Sequence, residues 1–170
     1  PLFLSLLSPA FASTSSYIVE NLSFPDDMPP EIGGLAFDGK GNLYACLRRG
    51  DIVVTQPGKD SGATRWKVFA TGLHNPMGMQ WVGPGRLVVS QMAELTEIID
   101  TDGDGTADRY NNLSTAFGIS GNYHETNAIC PDGDGGYYVA LGTASHNGPT
   151  FFSPRGEYSK EGRRGRNFSS

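Results

Sequence analysis

The stretch Leu35-Ala-Phe-Asp-Gly-Lys-Gly-Asn-Leu-Tyr-Ala45 decides the fold, because the chain writes its pattern twice more. Moving on by 44 residues gives Met79-Gln-Trp-Val-Gly-Pro-Gly-Arg-Leu-Val-Val89, and by a further 50 Ile129-Cys-Pro-Asp-Gly-Asp-Gly-Gly-Tyr-Tyr-Val139. Each copy runs from apolar inward positions through a Gly-rich turn into an alternating apolar strand. The turn glycines coincide: Gly39 and Gly41, Gly83 and Gly85, Gly133 and Gly135. That pattern predicts a β-hairpin whose loop uses positive φ.

A hairpin recurring every ~40–50 residues is the signature of propeller blades. The segments between the hairpins also read as strands: Asp51-Ile-Val-Val-Thr55, Trp66-Lys-Val-Phe69 and Leu95-Thr-Glu-Ile-Ile99. The expected fold is therefore an all-β β-propeller. A β-sandwich with hairpins alike by chance is the alternative; register kept at eleven positions twice favours the propeller. The blade-like repeats are expected near 33–70, 76–115 and 127–170, within a partial propeller over 28–170 that follows a lead-in over 13–27. About three blades fit in 170 residues, whereas propellers close with about 4–8. The sequence is accordingly expected to be a fragment of a larger ring.

Composition agrees. Glycine and proline, 23 and 11 residues, form a fifth of the chain, against the usual share of about 12%. With 38% hydrophobic and 11% aromatic residues the chain has the material for a core and is not of the disordered class. A net charge of −5 argues against a nucleic-acid partner, which calls for a basic patch. Residues 1–12, PLFLSLLSPAFA, precede the first charged residue, Glu20, and end Ala10-Phe11-Ala12. An apolar run closing on small-x-small reads as the end of a signal peptide, although a buried N-terminal strand would share its hydropathy. It is too short to span a bilayer, and no later segment is better suited. A secreted or periplasmic location is expected. Cys46 and Cys130 fall in non-adjacent repeats, so buried free thiols are expected rather than a disulfide.

The run Asp100-Thr-Asp-Gly-Asp-Gly-Thr-Ala-Asp108 sets carboxylates at loop positions 1, 3, 5 and 9. Gly105 stands at position 6 and the carbonyl of Thr106 at position 7. Alternate oxygens converging around a sharp glycine turn suit Ca²⁺, a hard cation that takes 6–8 oxygens. Asn111 replaces the twelfth-position Glu of an EF-hand, and the flanks are strand-like. The expected ligands are Asp100, Asp102, Asp104, Thr106 and Asp108, in a structural site within the second blade; a solvated Asp/Gly turn is the alternative.

The repeat also relates two histidines, since His124 lies 50 residues after His74 and both precede an inner strand by five residues. Such loops lie on one rim of a propeller. His124 sits in Ser120-Gly-Asn-Tyr-His-Glu125. A histidine there has the pKa range to take a proton from a hydroxyl, with Glu125 or Asn122 orienting it. A hydrogen-bonded rim residue that holds a loop is the competing role, and for His74 the lining or structural role is favoured. Arg48 is a candidate contact for an anion or cofactor, and Glu31 and Asn75 are the visible candidates for axial metal ligands. There is no Gly-rich phosphate loop, CxxC, CxxCH or GxSxG motif.

The runs Gly33–Tyr44, Phe69–Gly78, Asp100–Asp108 and Ser120–Glu125 together resemble the N-terminal propeller of large secreted dehydrogenase-like proteins of planctomycetes and verrucomicrobia, which often carry a C-terminal haem-binding domain. More distantly, His124 with Ile129-Cys-Pro-Asp132 and Tyr137–Gly142 is similar to soluble glucose/sorbosone dehydrogenases, six-bladed propellers that use pyrroloquinoline quinone (PQQ). The resemblance implies a sugar or alcohol substrate and His124 as general base; His74, Asn122, Tyr123, Glu125 and Arg48 are, from the residues themselves, the candidates expected around the substrate. It also implies quinone-gripping residues in later blades and a haem or cytochrome domain as electron acceptor. Two other classes compete: a non-catalytic propeller binding glycan or protein, and a metal-dependent lactonase-type propeller.

Overall fold

The computed structural model describes residues 17, 19–58, 64–92, 94–116 and 126–141. They form ten β-strands and no helix. The first sheet is β1 (Ile32–Phe37), β2 (Leu43–Leu47), β3 (Ile52–Thr55) and β4 (Lys67–Ala70); the second is β5 (Gly78–Gly83), β6 (Arg86–Gln91), β7 (Glu94–Ile99) and β8 (Arg109–Ser114). Both are antiparallel meanders in sequence order, and β9 (Thr126–Pro131) pairs with β10 (Tyr137–Leu141) as a third hairpin. The innermost strands β1, β5 and β9 are successive neighbours. These are blades of a β-propeller, and the described sheets form an open arc.

Alternation along the strands explains the packing, since neighbouring side chains leave a strand on opposite faces. On β2, Tyr44 and Cys46 face the second blade and join Phe69, Met79, Leu87, Val89 and Ile98 in one core. Ala45 and Leu47 face the other way and pack under Phe24, Met28 and Trp66. All five residues of β2 are therefore buried. The lead-in thus forms part of the first blade's core. Phe24 stacks on Trp66 at 4.3 Å, and the Trp66 indole N–H donates to the Ser23 carbonyl. On β6, Leu87 and Val89 serve the first interface, while Val88 packs with Ile129, Tyr137 and Val139 of the third hairpin.

The inner strands come close enough to exclude a Cβ. A methyl group on Gly34 would lie 3.0 Å from the Met77 carbonyl oxygen, and one on Gly78 2.4 Å from that of Asn127. Beside these glycines, the Cys46 thiol reaches the Pro76 carbonyl at 3.6 Å and the Ser90 hydroxyl donates to the Asn127 carbonyl at 3.0 Å. Cys46 and Ser90 are 44 residues apart, so the repeat extends to the groups that join each blade to the next. Burial pushes the Cys46 thiol up to about 11. Cys130, expected to be buried, is exposed. On β9 it is Ile129 that packs inward, and alternation turns its neighbour outward.

The hairpin turns carry a second repeated device. The Asp38 carboxylate accepts the backbone N–H groups of Lys40 and Asn42, and the Asp132 carboxylate those of Asp134 and Gly136. In the second blade Val82 takes this place, and the turn tightens around Pro84-Gly85. Positive φ is needed at the second glycine of each pair, Gly41, Gly85 and Gly135; at the first it occurs only in Gly133.

Candidate functional site

The meander order sorts the connections between two ends. The segments leading into β1, β5 and β9 share one end with the β2–β3 and β6–β7 turns. The hairpin turns and the β7–β8 connection lie at the other. The rim predicted to hold the histidines and the acidic loop are thus at opposite ends of the blades.

At the rim, His74 is exposed. Its backbone N–H donates to Gln91 Oε1 at 2.6 Å and its carbonyl accepts the Met92 N–H. Gln91 Nε2 donates to Thr96 Oγ1, which donates to Glu94. The backbone of His74 is therefore fixed to the β6–β7 turn while its ring stands at the surface. Next to it, Asn75 is, among the described residues, the non-glycine residue with positive φ, at 50°, a conformation Asn tolerates better than most residues. Arg48 Nε donates to Asn75 Oδ1 at 3.0 Å, and the Arg48 N–H to the Glu31 carbonyl at 2.8 Å. The structure thus brings Glu31, Arg48, His74 and Asn75 from three connections to one blade junction. Asn75 Oδ1, which a metal ligand would need, is held by a guanidinium instead. Asn122, Tyr123, His124 and Glu125 lie outside the described residues, and β9 begins at Thr126.

At the other end, Asp100, Asp102 and Asp108 offer carboxylate oxygens that all lie within 4.8 Å of one another. Their orientation is fixed from within. Asp100 accepts the N–H groups of Gly103 and Gly105, Asp102 that of Asp104, and Asp108 the Thr101 hydroxyl. Asp104 stands outside this group: its carboxylate accepts the Thr106 N–H and its carbonyl accepts from Lys67 Nζ. Thr106 is exposed beside it. The Ala107 N–H donates to the Phe69 carbonyl at 2.7 Å, and the Tyr110 hydroxyl meets Thr71. The loop leaves the second blade but is bonded along β4 of the first. It therefore clamps two blades, where spacing alone implied a role within one.

Between this loop and the first hairpin turn lies a cleft of about 690 Å³ that includes Asp38, Asn42, Tyr44, Trp81 and Asp100. Burial, then the charges of Asp38 and Asp100, push the Tyr44 phenol up, so it stays protonated. No signal in the sequence marks this cleft. Tyr44 and Trp81 lie in different repeats, at positions not equivalent to each other.

Fold and site define a β-propeller with a polar rim at one end and an acidic loop at the other. The chain belongs to the family described as Domain of unknown function (DUF7133), whose profile matches residues 16–167. No curated protein matches it significantly. Solved structures that match include a crystal structure from Thermus thermophilus of a candidate oxidoreductase (glucose dehydrogenase). It is 18% identical, with a TM-score of 0.49 over 68% of this chain. The chain spans 38% of that structure's length.

Proposed function

We propose that these blades belong to a secreted or periplasmic sugar or alcohol dehydrogenase that uses PQQ, with the polar rim facing the substrate. The observation that supports this most is the junction of His74, Asn75, Arg48 and Glu31 on the end where β9 starts, two residues after His124. In this reading His124 takes the proton of the substrate hydroxyl. Asn122, Tyr123 and Glu125 hold the imidazole and the sugar, and His74 lines the same opening. Bound PQQ supplies the acceptor for the hydride that leaves the carbinol carbon. Of groups suited to an anionic quinone, the described rim contributes the Arg48 guanidinium, and the remaining grip is assigned to blades beyond the described residues. The electrons would pass on to a haem domain of the full-length protein.

The acidic loop fits Ca²⁺. Asp100, Asp102 and Asp108 supply three hard oxygen donors, and the geometry leaves Asp104 and Thr106 to complete the shell through rearrangement or water. An ion there would screen like charges and tighten the clamp between the first two blades. Among the described residues no helix is long and apolar enough to cross a membrane.

The test is titration of the full-length protein with PQQ in the presence of Ca²⁺, followed by quenching of tryptophan emission. Saturable binding that weakens when Arg48 is changed to Met is the expected result. Absence of quinone binding would remove the proposal.

A further inference from the structure

We infer that the cleft between the first hairpin turn and the acidic loop is a binding site for a neutral saccharide, distinct from the rim. It carries a buried group in need of a partner. Tyr44 is only 9% exposed and lines the cleft, yet its hydroxyl makes no hydrogen bond to any described residue. Its ring is held edge-on against Phe69, centroids 5.3 Å apart, so it cannot swing away to find one. A polar group so deeply buried with no such partner calls for an explanation.

The surrounding chemistry selects the class of ligand. The phenol O–H needs an acceptor. Asp38, Asp100 and Asp102 border the cleft with carboxylates that can only accept. Even with Ca²⁺ held by Asp100, Asp102 and Asp108, whose three charges exceed its two, an anionic ligand would meet Asp38 and a net negative loop against one lysine, Lys40. An alkylammonium would satisfy the carboxylates but offers the phenol no acceptor. A hydroxyl both donates and accepts, so a polyhydroxy compound answers both demands. Trp81, half-buried on the cleft wall, adds a flat apolar surface for the C–H face of a pyranose ring. The volume lies within the roughly 300–1,000 Å³ usual for small-ligand sites. The site does not rest on quinone chemistry at the rim.

The experiment follows Trp81 emission in the full-length protein carrying Trp66→Phe, which leaves Trp81 as the reporter among these blades; calorimetry on the unaltered protein serves if that variant is poorly folded. A panel of neutral mono- and oligosaccharides is titrated at millimolar concentrations, with tetramethylammonium and inorganic phosphate as comparison probes. The expected result is saturable binding of a saccharide and of neither comparison probe. Tyr44→Phe should weaken that binding about fivefold, one hydrogen bond's worth, without lowering the melting temperature, because the hydroxyl it removes has no partner among the described residues. A structural role alone would not separate those two readouts. His124→Ala should leave the Trp81 response to saccharide unchanged, which keeps this test apart from that of the rim. No saturable saccharide binding, preference for tetramethylammonium, or unaltered affinity in Tyr44→Phe would overturn the inference.

Discussion

Gly78→Ala probes how closely the blades approach at their inner strands. Gly78 opens β5, and a Cβ there would lie 2.4 Å from the Asn127 carbonyl oxygen, 2.6 Å from Ser90 Oγ and 3.1 Å from the Ala128 Cα. Two of these three atoms are backbone of the next blade, so no rotamer change relieves them. The Ser90 side chain can turn aside only by giving up its bond to Asn127. Overpacking costs about 1–3 kcal/mol, and a rigid backbone obstacle places this case near the top. Adding about 1 kcal/mol for the lost hydrogen bond gives roughly 4 kcal/mol. At about 2–4 °C per kcal/mol, the range for domains of about 150–250 residues, and less for a larger ring, melting should fall by at most roughly 8–16 °C. Gly83, on the same strand, has nothing within 4 Å of the position its Cβ would take. Gly83→Ala should therefore stay within about 0.5 kcal/mol of the parent. Thermal unfolding followed by circular dichroism compares the two. Equal shifts, or a Gly78→Ala variant melting with the parent, would refute this juxtaposition of blades.

Further outcomes follow from the thiols and the acidic loop. Cys130 is exposed and Cys46 buried with its thiol raised to about 11, so a thiol reagent at neutral pH should modify Cys130 alone until the protein unfolds. The raised thiol also has a linkage consequence. The unfolded chain loses this proton near its ordinary value of 9.0 and the folded one near 11, so this contribution is intact below pH 9. It is lost as pH rises from there toward 11, at up to about 1.4 kcal/mol per pH unit. Cys46→Ser, which substitutes the hydroxyl used at Ser90, should flatten that loss in urea titrations across this pH range; an unchanged slope would exclude Cys46 as its source. If the loop takes Ca²⁺, an ion concentration a hundredfold above Kd should add about 2.7 kcal/mol. Asp100→Asn should lose most of the accompanying rise in melting temperature, while an equal rise in both proteins would place the ion elsewhere.

The hairpins were legible in the sequence because turn glycines and alternating strands repeat at fixed offsets, and β3, β4 and β7 were legible as short apolar runs. β8, Arg-Tyr-Asn-Asn-Leu-Ser, was not. As an outer strand it is largely exposed, so no burial pattern is written into it, and only pairing with β7 makes it a strand. The lead-in's role was also hidden, because Phe24 and Met28 acquire meaning only when Trp66 is brought to them. At the rim, the sequence suggested His74, Arg48 and Asn75 separately. Their meeting depends on register between blades, which spacing within one repeat does not encode. The acidic loop's spacing pointed to four carboxylates, of which Asp100, Asp102 and Asp108 converge, while the Asp104 carboxylate takes the Thr106 N–H instead. That the Tyr44 hydroxyl finds no partner among the described residues is likewise a property of packing.

The most direct test of the proposed activity is dye reduction by the full-length protein loaded with PQQ and Ca²⁺, measured over a panel of sugars and alcohols for the parent and for His124→Ala. General-base removal is worth about 10²–10⁴-fold, so the expected result is substrate-dependent reduction in the parent and a drop of at least about 10²-fold in the variant. Equal turnover in the two proteins would contradict His124 as the base, and no reduction with any substrate would contradict the dehydrogenase itself.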